Sequence, residues 1–558
     1  MSPTAGKAAT GSGLVLLTLA SGQFVMTLDS SVMNVSIATV AKDVGTTVTG
    51  IQSAITMYTL VMAAFMITGG KLGQIMGRKR AFGVGCIIYG AGSFITAISQ
   101  SLPVLMFGWS GLEGIGAALI LPAIVALVAS NFGAAERPRA YGLVASAGAI
   151  AVAAGPLIGG LCTTYATWRL VFLGEVVIVL AILAVGRRMS DPPPESHPRL
   201  DLIGTALSAA GLGLVVFAIL KAGSWGFVHP KSGAPQWLGL SPSLWMLLGG
   251  GTVLWLFFRW ENHQITRGAE PLVDPSILLN KTLRGGLTSF FFQYLVQAGL
   301  FFAVPLFLSV SLGLSAIATG VRLLPLSATL LLAAAGIPKV WPDASPRRVV
   351  RIGFLALFAG LAILVGALDA GAGADIITWP MLLAGLGIGA LASQLGSVTV
   401  SSVGDEKSGE VGGLQNTVTN LGASIGTALS GAILIATLTS SLAAGIQQNP
   451  AVPADLKSKA QTQLASGVPF LSDKDLQAAL GKAGVPKASA DAVVQENATA
   501  RIAALRSSLS VIAIIALAAL FFSLSIPAEQ PAAARAGPAP PDGEAPEPSP
   551  PPLSHATG

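Results

Sequence analysis

The sequence predicts an all-α integral membrane protein, and three observations predict it. Of 558 residues, 52% are apolar and only 10% charged, where a soluble protein carries about 25% charged residues. Fourteen apolar runs approach or exceed the roughly 20 residues that a helix needs to cross the hydrocarbon core. The basic residues gather in alternate loops between those runs. The mean hydropathy of +0.71 agrees. The 66 Gly and 34 Pro are spread through apolar sequence rather than pooled, which excludes a collagen-like chain. The two cysteines, Cys86 and Cys162, lie inside apolar runs and make no disulfide framework.

In order, the runs are 13–36, 49–70, 80–99, 103–129, 140–163, 168–186, 203–221, 243–259, 284–310, 316–337, 349–368, 377–402, 410–437 and 503–526. The shortest are 203–221 and 243–259. The first run is too long for a signal peptide, contains Asp29 and lacks a cleavage site, so it reads as a retained helix. With residues 1–12 placed in the cytoplasm, the inside loops hold eighteen Lys and Arg and the short outside loops four, Lys42, Arg169, Lys221 and Lys231. Positive charge stays inside, so both termini are expected to be cytoplasmic. The basic balance, +6 at neutral pH, then reflects topology rather than affinity for nucleic acid.

Two segments read as non-membrane. Residues 438–502 mix Asp455, Lys457, Asp473, Asp491 and Glu496 with apolar residues at helical spacing. An extracytoplasmic loop of that length is unusual, and short amphipathic helices or a hairpin over the exit are expected. Residues 527–558 hold ten prolines in thirty-two positions and read as a disordered cytoplasmic tail.

No Walker loop, HExxH or CxxC pair is present, and none of the four His lies in a span. No enzyme, cofactor or metal site is therefore expected. The informative residues are ionisable groups inside spans, because an acidic side chain at a helix centre costs roughly 2.5–3.5 kcal/mol and so faces protein or water. Asp29 in the first span, Glu113 in the fourth and Glu175 in the sixth qualify, all in the outer half at similar depth. Carboxyl groups withdrawn from water beside one another exchange protons nearer neutral pH than free ones, which suits proton coupling. Carboxyls serving only as hydrogen-bonding groups within a bundle read the same way. Arg322 in the tenth span is either a counter-charge or a side chain snorkelling to the outer interface.

The second loop reads Gly70-Lys71-Leu72-Gly73-Gln74-Ile75-Met76-Gly77-Arg78-Lys79-Arg80, with glycines for a tight turn and a basic cluster for helix C-termini and anionic lipid. The fifth span carries Gly155-Pro156-Leu157-Ile158-Gly159-Gly160, where a helix-breaking proline joins residues small enough for close packing.

Together these residues resemble the major facilitator superfamily, and within it the fourteen-helix drug:proton antiporter branch (the EmrB/QacA type). Leu28-Asp29-Ser30-Ser31-Val32-Met33-Asn34-Val35 resembles that branch's first-helix motif, and Gly70 to Arg80 the superfamily's loop motif. Gly114-Ile115-Gly116-Ala117-Ala118 resembles the end of the fourth-helix motif, Gly155 to Gly160 the antiporter motif, and Trp168-Arg169-Leu170-Val171-Phe172 the start of the sixth helix. Four departures stand out. Gln74 replaces an acidic residue, which should weaken an ionic latch to a hydrogen bond. Ser110 replaces an Arg, with Glu113 where Gln is usual. Glu175 stands where Asn is usual.

The resemblance implies two six-helix bundles, 13–186 and 284–526, joined by inserted helices over 203–259. It implies a multi-pass protein of a bacterial cytoplasmic membrane, a monomer among lipids, driven by the proton gradient. The substrate would be a small hydrophobic, cationic or amphipathic compound, exported by alternating access. Export of an endogenous lipid or secondary metabolite is the alternative, and a membrane-embedded transferase a remote one. Asp29, Glu113 and Glu175 would form an altered acidic cluster with Arg322 as counter-charge. Gln293 and Gln297 share one face of the ninth span, as Asn416 and Asn420 do on the thirteenth; they are candidate cavity groups or packing hydrogen bonds. The aromatic run at Phe290, Phe291 and Phe292 with Tyr294, Phe301 and Phe302 either walls the cavity or faces lipid.

Overall fold

The computed structural model describes residues 3–132, 137–187, 189, 200–231, 233–369, 371–403, 408–454, 456–458 and 468–529. All but the first three residues of the proline-rich tail, together with residues 459–467 of the long loop, lie outside the described residues.

Helices form where the apolar runs were read. They are α1 (Pro3–Asp43), α2 (Val48–Met76), α3 (Arg78–Ala97), α4 in three consecutive pieces (Leu102–Leu105, a π-helical Met106–Glu113, and Gly114–Asn131), α5 (Arg137–Tyr165) and α6 (Arg169–Gly186). After them come α7 (Leu202–Trp225), α8 (Pro242–Thr266), α9 (Lys281–Leu306, prolonged by π-helical Phe307–Ser311), α10 (Ala316–Val340), α11 (Pro346–Ala367), α12 (Thr378–Val400) and α13 (Ser408–Gln448). A short α14 (Asp473–Lys482) precedes α15 (Lys487–Phe522). Among the described residues, 13 helices are long and apolar enough to cross a membrane. The remaining run, the eighth at 243–259, is helical as α8 but falls short in hydropathy, because Gly249–Gly251 and the polar end at Arg259 and Glu261 dilute it.

Three boundaries differ from the sequence reading by ten residues or more. The first helix begins at Pro3 rather than residue 13. The thirteenth runs past 437 to Gln448, and the last begins at Lys487 rather than 503. Both ends of the long loop are thus continuations of spanning helices, and hydropathy fades before the backbone hydrogen-bond ladder does. Buried Arg501 on α15 holds the loop down, donating to the Leu471 carbonyl at 2.5 Å and to Asp473 at 2.6 Å.

The first bundle forms as α1 packs on α5 and α6, α3 on α4 and α6, and α2 on α4. In the second, α9 packs on α13 and α15, α10 on α12, and α11 on α12 and α15. The bundles meet along α2 with α13 and α5 with α10, and the α7–α8 hairpin lies across the α2–α13 seam. Loops at one end carry most of the Lys and Arg; this end is termed the basic face below.

The seam at the opposite face is made of backbone contacts and uncharged hydrogen bonds. A Cβ on Gly320 of α10 would collide with the Pro156 carbonyl of α5, and one on Gly160 would lie 2.7 Å from Ile317 Cα. Gln52 of α2 donates to the Thr427 carbonyl of α13 at 3.0 Å, Ser424 donates to the Thr56 carbonyl at 2.9 Å, and the Ile317 N–H donates to Thr164 Oγ1 at 3.0 Å.

Candidate functional site

Glycines first let the site form. A Cβ on Gly92 of α3 would sit 2.6 Å from Glu113 Cγ and 2.7 Å from the Gly108 carbonyl, and one on Gly116 of α4 2.7 Å from the Tyr89 N. Small residues bring helix backbones together in membranes, and here they bring α3 against the π-helical stretch of α4. That stretch, Met106–Glu113, is the kind of local widening often found at functional sites. It carries Trp109, Ser110 and Glu113, all buried.

The three carboxylates predicted from sequence converge. Asp29 and Glu113 are 0% exposed and Glu175 1%, and one oxygen from each lies within 4.8 Å of the others. The Trp109 indole N–H donates to both oxygens of Asp29, at 2.7 and 2.8 Å. The Thr96 hydroxyl donates to Glu113 Oε1 at 2.9 Å. Tyr89 and Ser93 donate to Glu175 Oε2 at 3.3 and 3.2 Å. Glu113 Oε2 and Glu175 Oε1 are buried with no hydrogen-bond partner. Tyr58 of α2 stacks on Trp109 with ring centroids 5.0 Å apart. No Lys, Arg or His among the described residues bonds to the three carboxyls.

Two unit charges 4.8 Å apart repel by roughly 3.5 kcal/mol at an effective dielectric of about 20, against about 0.9 kcal/mol in water. Three ionised carboxylates in this closed pocket would carry that repulsion three times over. The three carboxylates are a ligand set that also suits a hard cation.

Other expectations fare differently. Arg322 is not the counter-charge. On α10 the buried side holds Leu323, Leu326, Ser327 and Leu330, whereas Arg322 lies with Val321 and Leu324 on the exposed side and contacts none of the carboxylates. Gln74 is exposed on the last turn of α2 and makes no latch to another described residue. The loop is tied elsewhere. Gly77, at φ 94°, turns the chain between α2 and α3 in a conformation suited to glycine. Arg78 donates to the Ala126 carbonyl at 3.3 Å, Lys79 to the Arg187 and Met189 carbonyls at 2.8 Å, and Lys71 pairs with Glu270 at 3.0 Å. Arg80 is exposed, and Gly70 faces Pro122 of α4. Ser110 donates to the Ala54 carbonyl at 2.8 Å, binding α4 to α2.

In α5, Gly155 and Gly159 sit against Ser31 and Val32 of α1, and the helix continues through Pro156. A narrow cleft between bundles is lined by Ser31, Asn34, Pro156, Phe301, Pro305 and Ser327 among others, and by none of the four predicted amides. Gln293 is buried in α9 with Oε1 unpartnered, Gln297 and Asn416 are half-buried, and Asn420 bonds back to the Asn416 carbonyl at 2.9 Å. Phe301 alone of the aromatic run reaches the cleft. Trp109, Tyr89, Ser93 and Thr96 went unnoticed in the sequence. Tyr89, Ser93 and Thr96 recur at positions i, i+4 and i+7, a polar stripe on an otherwise apolar helix.

Paired helical bundles, a seam of small residues between them and a buried acidic pocket define a polytopic membrane protein of the two-bundle kind. The family profile described as Major Facilitator Superfamily matches residues 19–427, and the chain belongs to that superfamily. It is 30% identical over 427 residues to the puromycin resistance protein of Streptomyces alboniger, covering 75% of this chain and 80% of that one. It is 27% identical to the probable actinorhodin transporter of Streptomyces coelicolor, covering 80% and 75%, and 24% identical to the multidrug resistance protein Stp of Mycobacterium tuberculosis, covering 77% of each. Among solved folds, a bacterial homologue of the lysosomal transporter Spinster, inward-facing and unoccupied, superposes with TM-score 0.58 at 14% identity over 92% of this chain and 98% of that one.

Proposed function

We propose that this protein is a proton-driven exporter of small hydrophobic compounds, cationic or amphipathic drugs and antibiotics among them, working by alternating access in a cytoplasmic membrane with both termini inside. The observation that carries the coupling is the Asp29–Glu113–Glu175 cluster, buried in the first bundle and without a basic partner among the described residues. The names of the relatives, resistance to puromycin and multiple drugs, support the substrate class. Protons would load the cluster from the opposite face and leave at the basic face as substrate binds. Each inward proton gains about 2.3 kcal/mol per 100 mV, which at about 1.4 kcal/mol per decade supports roughly a fifty-fold gradient of a substrate whose movement carries no charge.

The actinorhodin and tetracenomycin C transporters among the relatives favour a second reading, export of an endogenous secondary metabolite. Both readings share one test in proteoliposomes. A pH gradient should drive uphill movement of ethidium by the wild type. The triple variant Asp29→Asn, Glu113→Gln, Glu175→Gln should lose uphill movement and keep downhill movement. Equal uphill movement by both proteins would remove the cluster from the mechanism. Gradient-driven transport of an aromatic polyketide but not ethidium would favour the metabolite reading.

A further inference from the structure

We propose that the acidic cluster is divided by its hydrogen-bond donors: Asp29 stays an anion through the cycle, Trp109 is the positioning residue that keeps it so, and Glu113 and Glu175 carry two protons per turnover. The inference rests on proton-coupled export and names its carriers and stoichiometry.

The partners of each carboxyl decide its role. An indole N–H can only donate, whereas Ser, Thr and Tyr hydroxyls can donate or accept. Both oxygens of Asp29 accept from Trp109, a donor that serves only the ionised form, and the Tyr58 and Tyr89 hydroxyls face it as well, so Asp29 has more donors than either glutamate. Glu113 faces the Thr96 hydroxyl and Glu175 the Tyr89 and Ser93 hydroxyls. Each of these can turn from donor to acceptor as its carboxyl gains a proton. Each glutamate also keeps one oxygen without a donor, and a buried anion with such an oxygen is costly. The groups facing the cluster are Tyr58 from α2, Tyr89, Ser93 and Thr96 from α3, and Trp109 from α4. None brings a positive charge, so Asp29 is the single anion that the closed pocket can keep. When the basic face opens, water screens the repulsion and both glutamates release their protons.

Ethidium carries one positive charge, so exchange for two protons moves net charge and exchange for one does not. In wild-type proteoliposomes, ethidium transport should respond to a pH gradient and also to a valinomycin-imposed potassium potential at equal pH. Glu113→Gln and Glu175→Gln should each keep the pH response and lose the voltage response, while Asp29→Asn keeps the voltage response at a reduced rate. A substrate-free readout accompanies this: proton uptake by solubilised protein titrated across neutral pH. Uptake should fall by one in either glutamate variant, stay unchanged in Asp29→Asn, and rise by one in Trp109→Phe, which keeps the ring on Tyr58 and removes the N–H. A wild type driven by pH alone, or a titrating proton lost with Asp29→Asn, overturns the inference. A wild type driven by neither force removes the export reading for ethidium, and the titration still decides how the protons are held.

Discussion

Gly92 shows how little room the acidic cluster has. Its missing Cβ would lie 2.6 Å from Glu113 Cγ and 2.7 Å from the Gly108 carbonyl, so Gly92→Ala must push α3 from α4 or turn Glu113 aside. Overpacking of this kind costs about 1–3 kcal/mol. The expected result is a lower Tm in detergent with gradient-driven transport cut at least tenfold; unchanged values for both would show that the helices adjust freely. At this scale the sequence was legible where charge interrupts an apolar run, which is why Asp29, Glu113 and Glu175 could be named. Their donors could not, because Tyr89, Ser93, Thr96 and Trp109 are unremarkable in membrane helices until a carboxylate is placed beside them. Arg322 misled for the reverse reason: a lone charge attracts notice, but helical phase puts it on the exposed stripe of α10.

Among elements, α5 sits where the two bundles meet. It lies between α1 and α10, with Gly155 and Gly159 toward one and Gly160 toward the other, and stays helical through Pro156. Gly320→Ala would set a methyl group against the Pro156 carbonyl and disfavour closure of the opposite face. A shift of about 1–3 kcal/mol changes the closed-to-open ratio roughly tenfold or more. A cysteine at Thr164, in a protein whose Cys86 and Cys162 are serine, should then react about that much faster with an impermeant maleimide. No change in reactivity would show that this contact does not hold the face shut. The existence and order of the spans were readable from hydropathy alone. Their ends were not, since α13 and α15 run on as helices once their apolar faces give out. Neither was the π-helical turn of α4, which depends on packing against Gly92.

Taken whole, the molecule couples two bundles through a seam that the α7–α8 hairpin overlies. Gly223 of α7 lies against Ala432 of α13, and Thr68 of α2 meets Thr205 of α7 at 3.2 Å. The inserted pair is thus packed through α7 against both bundles, a placement that no local pattern in 203–259 discloses. The described part of the long loop packs on the main apolar core through Val452 and Phe470 and is anchored by Arg501 to Leu471 and Asp473. Arg501→Ala should speed proteolysis within 449–486 by about tenfold, the loss of about 1–3 kcal/mol in buried hydrogen bonds, and leave ethidium export intact. Loss of export with the loop still protected would instead tie Arg501 to the transport cycle.

The two ends of the molecule are fastened by different physics. At the opposite face the seam rests on amide, hydroxyl and glycine contacts, none of them charged. At the basic face Lys71 reaches across to Glu270, which is half exposed, on the segment leading into α9. Dissolved ions screen an exposed pair of that kind within about 8–10 Å and scarcely touch a dry backbone contact. Ionic strength at the basic face therefore weakens that ion pair and leaves the contacts of the opposite seam alone.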